Sequence, residues 1–166
     1  MNSIRVQTNP IEIAAEQEAL WRGRPQVGAL VTFVGLMRDI NVGKAVSAMT
    51  LEHYPGMTEK ALAAITAEAA ARWDLEGIRI VHRVGPLTPQ DPIVFVGVAA
   101  QHRGAAFRAC EFLIDYLKTR APFWKKETTA EGARWVEGRE TDVDAAARWE
   151  VTIGPDADCL EADKGR

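Results

Sequence analysis

"IRIVHRVGPLTPQDPIVFVGVAAQHRGAAF" (Ile78–Phe107) is the stretch that decides the fold. Two β-rich runs, Ile78–Leu87 and Pro92–Gln101, are separated only by the turn-forming residues Thr88–Asp91. Parallel neighbours need a crossover of a dozen or more residues, so a link this short predicts an antiparallel hairpin. A helix follows at once, from about Gly104 to Arg120, with Phe107, Cys110, Ile114 and Leu117 as its expected apolar stripe. A hairpin that feeds a helix breaks the strict β–α alternation of a doubly wound sheet and points to an α+β domain.

Working outward, Ser3–Thr8 alternates and reads as a strand. Asn9–Pro10 then offers a cap and a first-turn proline to a helix that stops near Gly23. Val27–Met37 is apolar on both faces and reads as a central strand, followed by a polar loop, Arg38–Val46, and a second strand, Ser47–Tyr54. The segment Pro55–Trp73 repeats Met57, Ala61, Ile65 and Ala69 at helical spacing. Beyond Pro122 come two strand-like runs, "FWKKETT" and "ARWVEG", then one more helical turn in "RETDVDAAARWE". The expected organisation is one domain over residues 1–150, with a mixed or antiparallel sheet and a mobile tail over 151–166.

The 166 residues carry a net charge of −3, which speaks against a broad nucleic-acid-binding face. No apolar run reaches membrane-spanning length, and the N-terminus lacks the pattern of a secretory signal, so the cytoplasm is the expected location. Cys110 and Cys159 stand apart, and His53, His82 and His102 show no ligand-like spacing, so neither a metal nor a resident cofactor is expected. P-loop, dinucleotide and Ser–His–Asp signatures are also missing from the sequence.

What stands out is local positive charge in an acidic chain. His102 and Arg103 fall at a strand-to-helix junction, where cations oppose the helix dipole and a bound anion would relieve the conflict; exposure to solvent or pairing with a carboxylate explains them equally well. Lys118 and Arg120 end the same helix, where a cation is favourable by roughly 0.3–1 kcal/mol whatever its function. Lys125 and Lys126 follow Phe123–Trp124 in a strand, so one faces a cavity while the other meets water or pairs with Glu127. Arg38 closes the strand after Gly35, either paired with Asp39 or clamping a ligand. His82 and Cys110 read as packed residues. Taken together, Arg38, His102, Arg103, Lys118 and Lys125 form a candidate pocket for a small anion.

Five stretches, "LEHYPGMTEKAL", "HRVGPL", "IVFVGVAAQHR", "DYLKTRAPFWKKE" and "RWVEGRETD", resemble the large, catalytic subunit of molybdopterin synthase, with the likeness running from about Val27 to Trp149. The resemblance implies an α/β-hammerhead-type fold with a mixed or antiparallel sheet and an additional small β-subdomain. It implies sulfur transfer from the C-terminal Gly-Gly thiocarboxylate of a small ubiquitin-like subunit to cyclic pyranopterin monophosphate, with no cofactor. The implied assembly is a heterotetramer built around a homodimer of large subunits. Carried over by position, Lys118 and Lys125 are catalytic, and Leu36, Met37, Arg38, His102, Arg103, Lys126, Glu127 and Arg139 join them in binding substrate, Arg139 from the neighbouring subunit. Two other readings compete: a non-catalytic module that only docks the partner's tail, and an enzyme that forms a Schiff base on a lysine.

Overall fold

The computed structural model describes residues 1–41, 44–136 and 140–150. Arg139, Gly43, Cys159 and the expected tail lie outside the described residues. Two four-stranded sheets carry the chain. The first contains β1 (Asn2–Gln7), β2 (Ala29–Leu36), β6 (Gly77–Arg83) and β8 (Pro92–Ala100), ordered β1-β6-β8-β2. The second contains β5 (Ala48–His53), β7 (Gly85–Leu87), β9 (Phe123–Thr129) and β10 (Gly132–Val136), ordered β10-β9-β5-β7. A two-stranded ladder, β3 (Ile40–Asn41) with β4 (Lys44–Ala45), lies in the stretch expected to be a plain loop. The helices are α1 (Ile13–Trp21), α2 (Met57–Arg72), α3 (Arg103–Arg120) and α4 (Glu140–Ala147). The architecture is α+β, and the first sheet is mixed because β1 runs parallel to β6 while the other pairs are antiparallel.

The expected hairpin is present: β6 and β8 pair antiparallel, with Ile80 opposite Val96. Its connection is more than a turn. Gly85, at φ 84°, swings the chain out of the first sheet, and β7 then pairs with β5 in the second. A left-handed φ of this size favours glycine, which has no Cβ to clash. The hairpin loop therefore joins the two sheets covalently.

β8 is the central strand, buried on both faces from Val94 to Ala100. Its Gly97 is required by close approach, since a Cβ there would sit 2.5 Å from Leu20 Cδ1. On one face, Leu62, Ile65 and Ala69 of α2 and Ala106, Ala109, Phe112, Leu113 and Tyr116 of α3 cover the sheet. On the other, Leu20 of α1 packs with Val81, Phe95 and Ala99. Glu16 of α1 is buried and holds Arg5 of β1 and Arg79 of β6, the latter at 2.7 Å.

Several sequence expectations shift. β2, expected to be central, is an edge strand; its residues are half-buried or exposed, with Leu30 and Val34 packed against the core on the α1 side while Val31 and Phe33 border an open groove. α1 begins at Ile13 after Glu12, not after Asn9, because Gln7 Nε2 binds the carbonyls of Asn9 and Pro10 and holds them outside the helix. The apolar stripes of α2 and α3 are rotated from those expected, leaving Met57 and Phe107 exposed. α4 runs for 8 residues rather than one turn.

Phe112 is fully buried against Trp73, Tyr116 and Trp149, with ring centroids 5.3, 4.4 and 5.5 Å away. Phe112→Ala is predicted to lower the unfolding free energy by about 3–5 kcal/mol. Urea denaturation followed by tryptophan fluorescence measures this directly.

Candidate functional site

The geometry of the candidate cations is set by one helix. β8 passes through Gln101 into His102, the N-cap residue, whose side chain makes no capping bond, and α3 then turns back over β8 and β2. Arg103 and Lys118 are 15 residues apart on α3, about 22 Å along its axis at 1.5 Å per residue. β2 and β8 are antiparallel, with Ala29 opposite Ala100 and Leu36 opposite Pro92. The returning helix therefore brings Lys118 to the end of the sheet where β2 finishes and Arg38 follows. The five pocket cations fall into two groups within one chain: His102 and Arg103 at one end, and Arg38, Lys118 and Lys125 at the other.

At the second end, Lys118 is half-exposed and its Nζ lies 3.1 Å from Asp142 Oδ1 on α4. Arg120 turns elsewhere, lying over the Tyr116 ring at 3.5 Å and pairing with Glu68 of α2 at 3.1 Å. α3 ends at Arg120 and β9 starts at Phe123, so Lys118 and Lys125 flank a single turn. Thr58 anchors that turn to the start of α2, donating from Oγ1 to the Pro122 carbonyl at 3.2 Å.

Strand alternation separates the two β9 lysines as expected. Lys125 stands opposite Leu51 of β5 and Val136 of β10, on the face that carries buried Met49, Leu51 and Glu127. Lys126 takes the other face, 5.6 Å from the Trp135 ring centroid and beside exposed Trp124. Glu127 is buried and pairs with Arg134 at 3.2 Å. Arg38 is exposed and lines a cleft of about 410 Å³ with Leu36, Met37, Asp39, Pro89 and Gln90. Leu36 is exposed there, whereas most of Met37 is buried among Met49, Leu51 and Leu87. Gln90 holds φ at 75°, a strained conformation for a non-glycine residue at the rim of this cleft.

Two features stand beside Lys125 and Lys118: His82, read from the sequence as a packed residue, and Asp142, which the sequence does not single out. His82 is buried and stacks on Phe123, with ring centroids 3.7 Å apart and planes 14° apart. Its Nδ1–H donates to the Arg83 carbonyl at 2.8 Å, since that oxygen can only accept. Burial pulls its pKa down to about 4; the bond to Arg83 opposes this, while nearby His53 and Lys125 add to it. A neutral imidazole thus supports the strand that presents Lys125. The second feature is Asp142, for which the available signal was its place at the end of "RWVEGRETD".

Between the two charged ends runs a mainly apolar groove of about 300 Å³, lined by Val31, Thr32 and Phe33 of β2 and by Phe107, Cys110, Glu111, Ile114 and Asp115 of α3. Phe33 of β2 is 38% exposed and Phe107 of α3 62%, so the edge strand and the helix beside it together present apolar surface.

Comparison with known proteins settles the family. The pattern of the family described as "MoaE protein" matches residues 6–120. The chain belongs to the MoaE family. A protein of Ralstonia nicotianae named "Molybdopterin synthase catalytic subunit" is 60% identical over 151 residues, covering 91% of this chain and 86% of the relative. Proteins of the same name from Pseudomonas aeruginosa and Escherichia coli are 60% and 53% identical, covering 89% and 90% of this chain and 99% and 100% of their own lengths. The solved structure of a molybdopterin biosynthesis MoaE protein from Burkholderia ambifaria superposes with a TM-score of 0.78 at 56% identity, covering 92% of this chain and 100% of that one. A molybdopterin synthase structure from Staphylococcus aureus gives 0.75 at 34% identity, over 80% of this chain and 95% of that one. Among the described residues no helix is long and apolar enough to cross a membrane.

The His82 geometry makes a pH prediction. Its folded pKa of about 4 lies below the ordinary 6.5, so the unfolded state takes up a proton that the native state refuses. The neutral ring's contribution is complete above pH 6.5 and is lost as pH falls toward 4, by about 3 kcal/mol in all. Denaturant unfolding of wild type and His82→Gln at pH 7.5 and 4.5 should show the wild type losing more stability than the variant by roughly this amount.

Proposed function

We propose that this chain is the catalytic subunit of a molybdopterin synthase. It moves sulfur from the C-terminal thiocarboxylate of a small ubiquitin-like partner to cyclic pyranopterin monophosphate, building the dithiolene of molybdopterin. The observation that carries this reading is 60% identity over 91% of the chain to a molybdopterin synthase catalytic subunit. The charge pattern supports it, because the substrate carries a cyclic phosphate and the sulfur donor ends in an anion. Two anions meet in one site only if cations screen them. Guanidinium groups suit phosphate through paired donors, which assigns Arg38 and Arg103 to the pterin, with His102 beside them. Lys118 takes the thiocarboxylate and the carboxylate left after transfer, and Lys125 stabilises negative charge as the phosphate ring opens. Leu36 and Met37 line the pterin cleft, Lys126 and Glu127 complete its β9 side, and Arg139 reaches in from a neighbouring copy. We place the reaction in the cytoplasm, as expected for a chain with a free, buried Cys110.

The 22 Å between Arg103 and Lys118 calls for a second copy. If two chains pair antiparallel along their β2 edges about a two-fold axis, α3 of each lies beside α3 of the other in opposite direction. Arg103 of one copy then meets Lys118 of its partner, and the apolar groove midway along both elements sits at the axis. The proposed assembly has this homodimer at its centre, with a small subunit serving each of two sites.

Lys118→Ala is predicted to lower kcat at least about 10²-fold with purified thiocarboxylated partner, and Arg103→Ala to raise the apparent KM for the pterin phosphate. Assayed at a pterin concentration well below that raised KM, where Arg103→Ala alone turns over little, the two variants mixed and reassembled should recover about a quarter of wild-type activity. Half of the dimers are then mixed, and each of these has one intact site out of two. Near-normal turnover by Lys118→Ala contradicts the assigned chemistry, and no recovery on mixing contradicts the shared site.

A further inference from the structure

Asp142 stands at 3.1 Å from the one lysine to which the proposed chemistry assigns the partner's anionic tail. An acid there is unexpected, since it neutralises the charge the tail needs. Its placement is imposed by α4 and not by the lysine. α4 and the residues after it are tied to α3 by Arg148, which pairs with Glu111 at 2.8 Å and Asp115 at 2.6 Å, and by Trp149 Nε1, which donates to Asp115 at 2.7 Å. Arg72 of α2 adds a bond to the Trp149 carbonyl at 3.0 Å. The Asp142 side chain is 23% exposed against 50% for Lys118, so the carboxylate is the more buried partner of the pair. Ion pairs this exposed contribute only a few-fold to an equilibrium, which leaves the pair open to exchange.

We infer that Asp142 is a positioning residue that acts as an internal competitor for Lys118: its carboxylate holds the ammonium at the mouth of the site and is displaced by the carboxylate or thiocarboxylate end of the partner's tail. This rests on the reading that Lys118 receives that tail. Asp142 then weakens tail binding and takes the ammonium back when the spent carboxylate leaves. Nearby, Asp115 pairs with Arg148 and Arg120 with Glu68, and among the described residues Asp142 is the acid within ion-pair distance of Lys118.

The test is binding of a synthetic peptide that ends in Gly-Gly with a free carboxylate, labelled at its N-terminus and followed by fluorescence anisotropy on the full-length chain. Asp142→Asn should tighten binding about two- to five-fold, Asp142→Glu should bind as wild type does, and Asp142→Asn should have no effect when combined with Lys118→Ala. A purely structural contact between α4 and α3 predicts the opposite sign, because its loss would loosen the site. Unchanged or weakened binding by Asp142→Asn overturns the inference while leaving the role of Lys118 intact. Unchanged binding by Lys118→Ala removes Lys118 from the tail site, and the competitor role of Asp142 falls with it.

Discussion

The rise of an α-helix is the constraint on which the account depends. α3 keeps Arg103 and Lys118 about 22 Å apart, and no side-chain rearrangement in one chain closes that gap. Each end is fixed separately. The N-terminal end is set by the β8–α3 junction, with Ala106 and Ala109 fully buried beneath it. The C-terminal end is set by Tyr116 and Leu117 in the core and by the turn that Thr58 ties to Pro122. A helix anchored at both ends acts as a spacer.

The second sheet turns this spacer into a site. β7 is the loop of the β6–β8 hairpin and also a strand beside β5, so the sheet bearing Lys125 cannot drift from the sheet bearing Arg38. His82 joins the two from within: it lies on β6, stacks on Phe123 of β9, and stays neutral in its burial. Positive charge at this end is thereby concentrated on lysine and arginine, which suits a site that must bring two anions together. The Asp142 carboxylate tempers that charge at Lys118.

Much of this was legible in the sequence, for identifiable reasons. The β6–β8 hairpin and α3 followed from a connection too short for a crossover and from a clear change in periodicity. The opposite facing of Lys125 and Lys126 followed from strand alternation. The place of β2 did not, because an apolar strand looks the same whether a second strand or an open groove covers its edge. Nor was it legible that Phe107 is exposed, since a stripe at helical spacing does not say which side of the helix meets the sheet. Most tellingly, a list of cations says nothing of distance. His102, Arg103 and Lys118 read as one pocket until the helix between them is given its length.

The most direct measurement is a pulsed electron-spin distance between positions 103 and 118 in a background lacking Cys110 and Cys159. Labels at both positions of one chain, diluted with unlabelled protein, should report the intrachain spacing of about 22 Å set by the helix. Labels at Arg103→Cys in one copy and Lys118→Cys in the other, mixed and reassembled, should report a clearly shorter distance. An interchain distance equal to or longer than the intrachain one would contradict a site completed by the second copy.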